Sequence, residues 1–563
     1  MTAEFLPHSL RARWPVLRRP RPSGWSLLTM AVAGLVSLPV LVILARIPVD
    51  TGGVWPHLAS TVLPDYVRNT LVLMLAVGAL TAVVGVGTAW LVTMHRFPLV
   101  RFFEWALLLP LAVPAYVMAY VYTDLLSYAG PVQALLRDAT GWGFGDYWFP
   151  RIRSLPGAAL MLGLVLYPYV YLLSRAAFLE QSVCVLEVSR TLGCGPWRSF
   201  RAVALPLARP AIVSGLALVL METIADYGTV QYFGVPTFTT GIYRTWFGLG
   251  EPVAAAQLSA VLLVFVASLI GLERLSRGRA KYHHTTRRYQ PLTPRRLTGG
   301  RAAVAVLACA LPLVLGFLIP AGRLLYLTVV AGDAYWGERF IPYATNSLTL
   351  AVVTAAIAVL VALILAYGVR QRPTLPNRAA IRAAALGYAV PGSVIAVGVL
   401  IPFAALDNAV DAFMRARFGV STGLVLTGTI AALVFAYLVR FLAVSYNAVE
   451  SSLGKISPSL DDAARTLGHS SRSTLWHVHA PLMRGGILTA ALLVFVDVMK
   501  ELPATLIVRP FDFDTLAIRV FRLASDERLA EASTAALTIV LVGVLPVILL
   551  SRAIAKARPG SVD

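Results

Sequence analysis

Charged residues are scarce. They make up 13% of the 563-residue chain, where a soluble domain carries about 25%. That scarcity, with 58% hydrophobic residues and a mean hydropathy of +0.74, excludes a soluble globular protein. Cysteine is nearly missing: Cys184, Cys194 and Cys309 show no framework spacing, so no disulfide scaffold is implied. Lysine is almost as rare. Only Lys281, Lys455, Lys500 and Lys556 occur, and none stands in Gly-Lys-Ser/Thr, since Gly454-Lys455 is followed by Ile456. A phosphate-binding Walker loop needs that lysine and the glycine backbone around it, so the chain does not supply an ATPase of its own. No Gly-rich phosphate cradle and no nucleophile–base constellation occurs either, which leaves no sign of an enzyme.

What is present is a succession of apolar runs of about 20 residues, the length that spans a hydrocarbon core about 30 Å thick. The runs do not alternate, so a closed barrel is excluded. The chain therefore reads as an all-α polytopic membrane protein. Twelve spans are expected near 25–46, 67–94, 103–128, 157–180, 207–230 and 253–273, then 302–330, 344–369, 380–406, 421–446, 482–508 and 529–552. The run from Trp25 is long enough to span and lacks a small-residue cleavage site, so it is expected to be retained as the first helix despite the arginines before it.

The net charge of +20 does not require nucleic acid, because many of the cations lie in short segments between spans, where the positive-inside rule expects them. The N-terminus, the segment Arg274–Arg301, the loop with Arg370, Arg372, Arg378 and Arg382, and the C-terminus fall on one side, which places both termini in the cytoplasm. The loop 509–528 is an exception: it carries Arg509, Arg519, Arg522 and Arg528 yet lands outside.

The chain repeats itself. Glu187–Pro206 (EVSRTLGCGPWRSFRAVALP) matches Asp462–Pro481 (DAARTLGHSSRSTLWHVHAP), with Glu187/Asp462, Gly193/Gly468, Val203/Val478 and Pro206/Pro481 in register. Asn69-Thr70-Leu71 matches Asn346-Ser347-Leu348, Pro114 matches Pro391, and Phe238, Arg244 and Glu251 match Phe513, Arg519 and Glu527, at offsets of 275 to 277 residues. Six spans separate corresponding points. The halves, 1–273 and 302–563, are therefore parallel repeats joined by a basic cytoplasmic linker, 274–301. Each repeated loop reads as a short helix, a glycine turn, a second helix and a proline at the next span. Glu187 or Asp462 is expected near the start of the first helix, where an acid complements the dipole. Gly193 and Gly468 suit a helix stop.

Charges inside spans are functional suspects by default. Glu222 and Asp226 lie in span five, and Asp497 and Glu501 in span eleven. Each pair is spaced i, i+4, so each is expected to share one helix face. Glu222 lies roughly 20 Å along the helix from its cytoplasmic start. Two readings stay open. The acids either hold an outer gate shut, neutralised by Lys500, Arg244 or Arg519, or form an acidic throat with Tyr227 for a hard cation. His283-His284 read as a solvated pair, and His469, His477 and His479 as partner-contact or surface residues.

The loop pattern resembles E-A-A-x3-G-x9-I-x-L-P, the cytoplasmic signature of permease subunits of type I ABC importers. It departs at Val188-Ser189 in the first copy and at Asp462 and Ala480 in the second. The resemblance implies the type I importer permease fold of about twelve helices in two six-helix repeats, in a bacterial inner membrane. It implies that each loop forms a coupling helix on one of two ATPase subunits, which would hold ATP and Mg, and that one extracytoplasmic solute-binding protein delivers cargo. Residues 221–247 (METIADYGTVQYFGVPTFTTGIYRTWF) and 497–521 (DVMKELPATLIVRPFDFDTLAIRVF) are similar to the ferric-iron permeases of the Fbp/Sfu type. That similarity implies Fe(III) as cargo and makes Glu222, Asp226, Asp497 and Glu501 candidate iron ligands. Other cargoes of the same architecture (thiamine, phosphonate or polyamine) stay open. A secondary transporter of the major facilitator type is a weaker rival, because MHRFPLVRFF at 94–103 does not fit its loop motif.

Overall fold

The computed structural model describes residues 24–180, 195–277, 295–331 and 340–556. Among these, ten helices are long and apolar enough to cross a membrane, and two bent pairs bring the number to twelve. In the first half the main helices are α1 (Gly24–Ala45), α2 (Leu63–Met94), α3 (Ala115–Leu126), α4 (Leu155–Glu180), α5 (Leu205–Ala225) and α6 (Pro252–Arg277). In the second they are α7 (Gly299–Val330), α8 (Phe340–Gln371), α9 (Gly392–Phe418), α10 (Ile430–Leu453), α11 (Arg484–Met499) and α12 (Leu529–Lys556). The all-α, twice-repeated architecture expected from the sequence is the one observed.

Several spans are not the straight rods expected. Span three bends by 91° between Val100–Ala112 and Ala115–Thr140. Proline causes this. Val113 is extended (φ −92°, ψ 117°) before Pro114, and Val390 likewise (φ −83°, ψ 127°) before Pro391, because a residue preceding proline avoids the helical region. A tight 3₁₀ turn precedes each break, at Leu109–Ala112 and Leu386–Ala389. The expected span 380–406 is thus broken, with α9 running on to Phe418, and the expected span 421–446 starts only at Ile430.

The halves are interlocked through their first helices. α1 packs against α8 and α9 of the second half. Asn377 Nδ2 donates to Ser26 Oγ (3.1 Å), and the Trp25 ring meets Tyr367 edge-on at 5.1 Å. In return α7 packs into the first half, where Tyr122 Oη donates to the Leu315 carbonyl (2.6 Å) and Arg323 pairs with Asp124 at 2.7 Å. The linker end adds a short parallel pairing, 95–96 with 295–296.

The repeat does the same structural work twice. Asn69 Nδ2 donates to the Pro236 carbonyl at 2.9 Å, and Asn346 Nδ2 to the Asp514 carbonyl at 3.0 Å. Each asparagine ties the second helix of its half to the segment that follows the acidic pair. The basic loop 509–528 also finds its explanation. Arg509 and Arg522 both pair with Asp514, and Arg528 pairs with Glu531 at 2.5 Å. Arg519 lies over the Tyr343 ring. These arginines are partners within the fold, not the loose cations that the positive-inside rule counts.

The interlock is testable at Gly398. A Cβ there would lie 2.5 Å from the Pro39 carbonyl oxygen of α1. Gly398→Leu is expected to destabilise the detergent-solubilised protein by about 1–3 kcal/mol, read as a lower thermal midpoint. Gly271→Leu, with nothing within 4 Å, is expected to leave the midpoint unchanged.

Candidate functional site

Both helices that carry the acidic pairs stop inside the bundle. α5 ends at Ala225, and Asp226 is extended (φ −64°, ψ 135°) before a short helix, Gly228–Tyr232. α11 ends at Met499, and Pro503–Val508 follows. A helix start buried from water leaves N–H groups that need an acceptor. Asp226 provides it: Oδ2 accepts from the Val230 N–H at 3.0 Å and Oδ1 from the Thr229 hydroxyl at 3.0 Å. Glu501 does the same job. Its Oε1 accepts from the Ala504 N–H (2.9 Å), and its Oε2 from the Thr505 N–H (3.0 Å) and hydroxyl (2.6 Å). The expectation that each pair shares one face of a continuous helix is therefore corrected. Glu222 and Asp497 lie in the helices, whereas Asp226 and Glu501 lie just past the ends and cap what comes next.

The breaks meet at the seam between the halves and line an open cavity of about 130 Å³. All five expected pathway residues line it: Glu222, Asp226, Tyr227, Asp497 and Glu501. Lys500, Arg440, Tyr116, Tyr169 and Tyr388 complete its polar wall. Lys500 pairs with Asp497 at 3.0 Å, and Arg440 with Glu501 at 3.1 Å. Gly392 makes room for the second pair, since a Cβ there would lie 2.2 Å from the Arg440 Nη1 and 2.8 Å from the Glu501 Oε1. Of the three cations expected as partners, only Lys500 takes the role. Arg244 is exposed and Arg519 stacks on Tyr343, and neither lines the cavity. Arg440 is the partner that sequence reasoning missed. The signal was there: an arginine in the middle of the apolar run YLVRFLAV is as conspicuous as the acids.

The charges do not balance. Four carboxylates and two cations line the cavity, and both cations are bound to second-half acids. On the first-half side, Glu222 accepts from the Tyr388 hydroxyl at 3.3 Å and Asp226 from neutral donors. Among the described residues no group of three or more His, Cys, Asp or Glu is arranged to hold a metal. The four candidate ligands do not form a closed cage, because caps and ion pairs already engage much of their oxygen.

The second repeated loop lies at the far end of α11. It consists of a helix Pro458–Thr466, a turn at Gly468 (φ 83°), a short helix Ser471–Thr474, a π-helical turn Leu475–His479 containing Val478, and Ala480–Leu482 containing Pro481. The chain then bends by 80° into α11. In the first copy, Glu187 and Gly193 lie outside the described residues. Val203 lies in the matching π-helical turn Phe200–Ala204, and Pro206 in the first turn of α5. Asp462 is not at the helix start. It is exposed in mid-helix, beside Arg465 at 3.1 Å. Its neighbour Asp461 takes the first turn, buried against Arg370, which also donates to the Leu453 and Ile456 carbonyls. His469 and His477 are exposed as expected, but His479 is fully buried, between Tyr367 and Asp461. That burial corrects its reading as a contact residue. The outer face instead shows Leu460, Leu467 and Trp476 to solvent.

Residues 81–277 and 358–558 each match the family described as binding-protein-dependent transport system inner membrane component. The chain is 27% identical to an Fe(3+)-transport system permease protein of Haemophilus influenzae, over 94% of this chain and 99% of that one. It is 24% identical to a ferric transport system permease protein of Actinobacillus pleuropneumoniae, over 83% of this chain and 66% of that one. A molybdenum transport system permease protein of Escherichia coli is 29% identical over 35% of this chain and 87% of its own length.

Arg440→Met would leave the Glu501 carboxylate buried without its counter-charge. The expected loss of stability is about 3–5 kcal/mol, measured by denaturation in detergent. Adding Glu501→Gln to that variant is expected to restore part of it, and no restoration would show that Arg440 acts through packing alone.

Proposed function

Because the chain belongs to the binding-protein-dependent transport system inner membrane components, we propose that it is the permease of an ATP-driven importer that passes Fe(III) from a solute-binding protein into the cytoplasm. The observation that carries the cargo is the charge imbalance at the seam. Glu222 and Asp226 lack a cation among their described contacts; the Tyr388 hydroxyl donates to Glu222, and Tyr116, Tyr169 and Tyr227 line the same cavity. Carboxylate and phenol oxygens are hard donors suited to a hard cation. An oxyanion would meet a wall with more carboxylates than cations. The ferric permeases similar over most of the chain point the same way.

The working assembly has two ATPase subunits that hold ATP and Mg, and one extracytoplasmic binding protein. Both termini and both repeated loops face the cytoplasm. Each loop is the base of a helix whose far end reaches the cavity: 200–204 leads into α5, and 475–482 into α11. α11 is 16 residues long, about 24 Å. A push on the loop by a closing ATPase therefore moves the capped break at the other end. Arg370 fastens the second loop to the end of α8, so the push also reaches the helix that packs on α1.

Two measurements test this. Glu222→Gln with Asp226→Asn is expected to cut iron uptake by reconstituted transporter more than about tenfold, the effect of losing about 1.4 kcal/mol of cation binding, while assembly with the ATPase persists. Retained uptake would refute the acidic pathway. Gly468→Val forces a β-branched residue into left-handed backbone at a cost of about 1–2 kcal/mol and tilts Pro458–Thr466. It is expected to leave ATP hydrolysis running while uptake falls, and normal uptake would sink the docking role of the loop.

A further inference from the structure

A second, larger cleft of about 1020 Å³ opens at the N-terminal end of α4, the end opposite Glu180. Its walls come mainly from residues 123–153 of the first half, with Tyr232 and, from the second half, Ala524, Glu527 and Leu529. Its floor is Tyr120. One helical turn earlier on α3, Tyr116 lines the acidic cavity instead. Tyr120 contacts Tyr116 at 5.8 Å between ring centres and Tyr232 edge-on at 4.5 Å. The partition between the cleft and the acidic cavity is thus a ladder of three tyrosines.

The ladder has an unsettled feature. Tyr116 and Tyr120 are 5% and 1% exposed, and neither hydroxyl has a hydrogen-bond partner. A buried hydroxyl without a partner is costly, and here two such groups stand on adjacent turns of one helix. Such groups gain partners when the ladder parts, from water or from a hard cation passing through. The outer rung is held by an exposed contact: Arg153 donates to the Tyr232 hydroxyl (3.2 Å), lies over its ring, and pairs across the halves with Glu527 at 2.9 Å. An exposed pair of this kind is weak, which suits a latch that must open.

The second half has no counterpart. In the register that aligns Pro114 with Pro391, Tyr116 corresponds to Ser393 and Tyr120 to Val397. α9 continues as a helix to Phe418, whereas α3 stops at Leu126 and a separate helix, Pro131–Thr140, follows it beside the cleft. We propose that Tyr116, Tyr120 and Tyr232 form the outer gate of the transporter, latched by Arg153–Glu527, and that cargo enters off the symmetry axis through the first half. Their phenol oxygens give a hard trivalent cation its first ligands inside the protein. The outward direction rests on the reading above that the repeated loops face the cytoplasm.

The test uses the full transporter with its ATPase in sealed proteoliposomes, the outer face exposed. Cys184, Cys194 and Cys309 are replaced, and Ala225→Cys places a thiol on the acidic cavity wall. The rate of labelling by a membrane-impermeant thiol reagent is measured without cargo or ATP. Tyr120→Ala is expected to label about tenfold faster, as a tenfold larger open population requires. Arg153→Ala, a surface change that spares folding, is expected to give a smaller rise in the same direction, and Val397→Ala none. Unchanged labelling in both first-half variants, or an equal rise with Val397→Ala, overturns the gate. Because labelling involves no iron, a failed cargo assignment would leave this result standing, and a failed gate would leave the uptake tests standing.

Discussion

A helix that ends inside the bundle must satisfy its successor's N–H groups without water, and the rest of this structure depends on how that is done. In hydrocarbon an unpaired backbone group costs several kcal/mol, so irregular backbone survives only where protein covers it. Here the cover is a carboxylate. Asp226 and Glu501 each accept from both backbone and hydroxyl donors just past a break. Once an acid is committed to that position it brings its charge with it, and the charge must be paired or used. Glu501 is paired with Arg440. Asp226 has neutral donors and an open cavity. The same backbone requirement thus produces a structural ion pair in one half and a polar wall in the other.

The breaks would be loose ends if the halves were separate bodies. They are held at a common seam because each half lends its first helix to the other: Gly398 seats α1 against α9, and Arg323–Asp124 seats α7 against α3. Motion of one half is consequently felt by both. In the proposed mechanism this interlock would carry a push on the second repeated loop, about 24 Å from the cavity along α11, to both halves. The bends at Pro114 and Pro391 complete the arrangement, since they turn the third helix of each half toward the seam.

Much of this was legible in the sequence, and the legible part has a common character. Patterns that lie along the chain survived contact with the structure: up to twelve spans, the matching π-helical turns that hold Val203 and Val478, the correspondence of Asn69 with Asn346, and the gathering of the four acids. What was lost depends on three dimensions. Nothing in METIADYGT announces that the helix stops at Ala225, because the cap that ends it is the same aspartate that looks like the next member of an i, i+4 pair. Asp461 and Asp462 are adjacent and alike in sequence, and only the position of Arg370 decides that the first is buried and the second exposed. His479 looked like a surface residue for the same reason. The arginines of loop 509–528 are held by Asp514, Glu531 and the Tyr343 ring, which no count of charges can reveal. Arg440 is the instructive case, because a rule already applied to the acids applied to it equally.

Duplication gives two equal halves, and function then requires that they differ. A symmetric cavity with four paired acids would be a neutral plug, and one with four unpaired acids would not fold, since like charges at close range in a low dielectric repel strongly. The chain takes the intermediate course. Lys500 and Arg440 neutralise the second-half pair, so that Asp497 and Glu501 serve as a fixed wall. On the other side neutral donors stand in for a cation: the Tyr388 hydroxyl donates to Glu222, and the Thr229 hydroxyl and Val230 N–H donate to Asp226. A phenol stabilises a nearby carboxylate by hydrogen bonding without cancelling its charge, so the first-half pair stays attractive to a cation and still tolerable in the membrane. On the proposed reading, the divergence that neutralises the second-half pair is what leaves the first-half pair available to a cation.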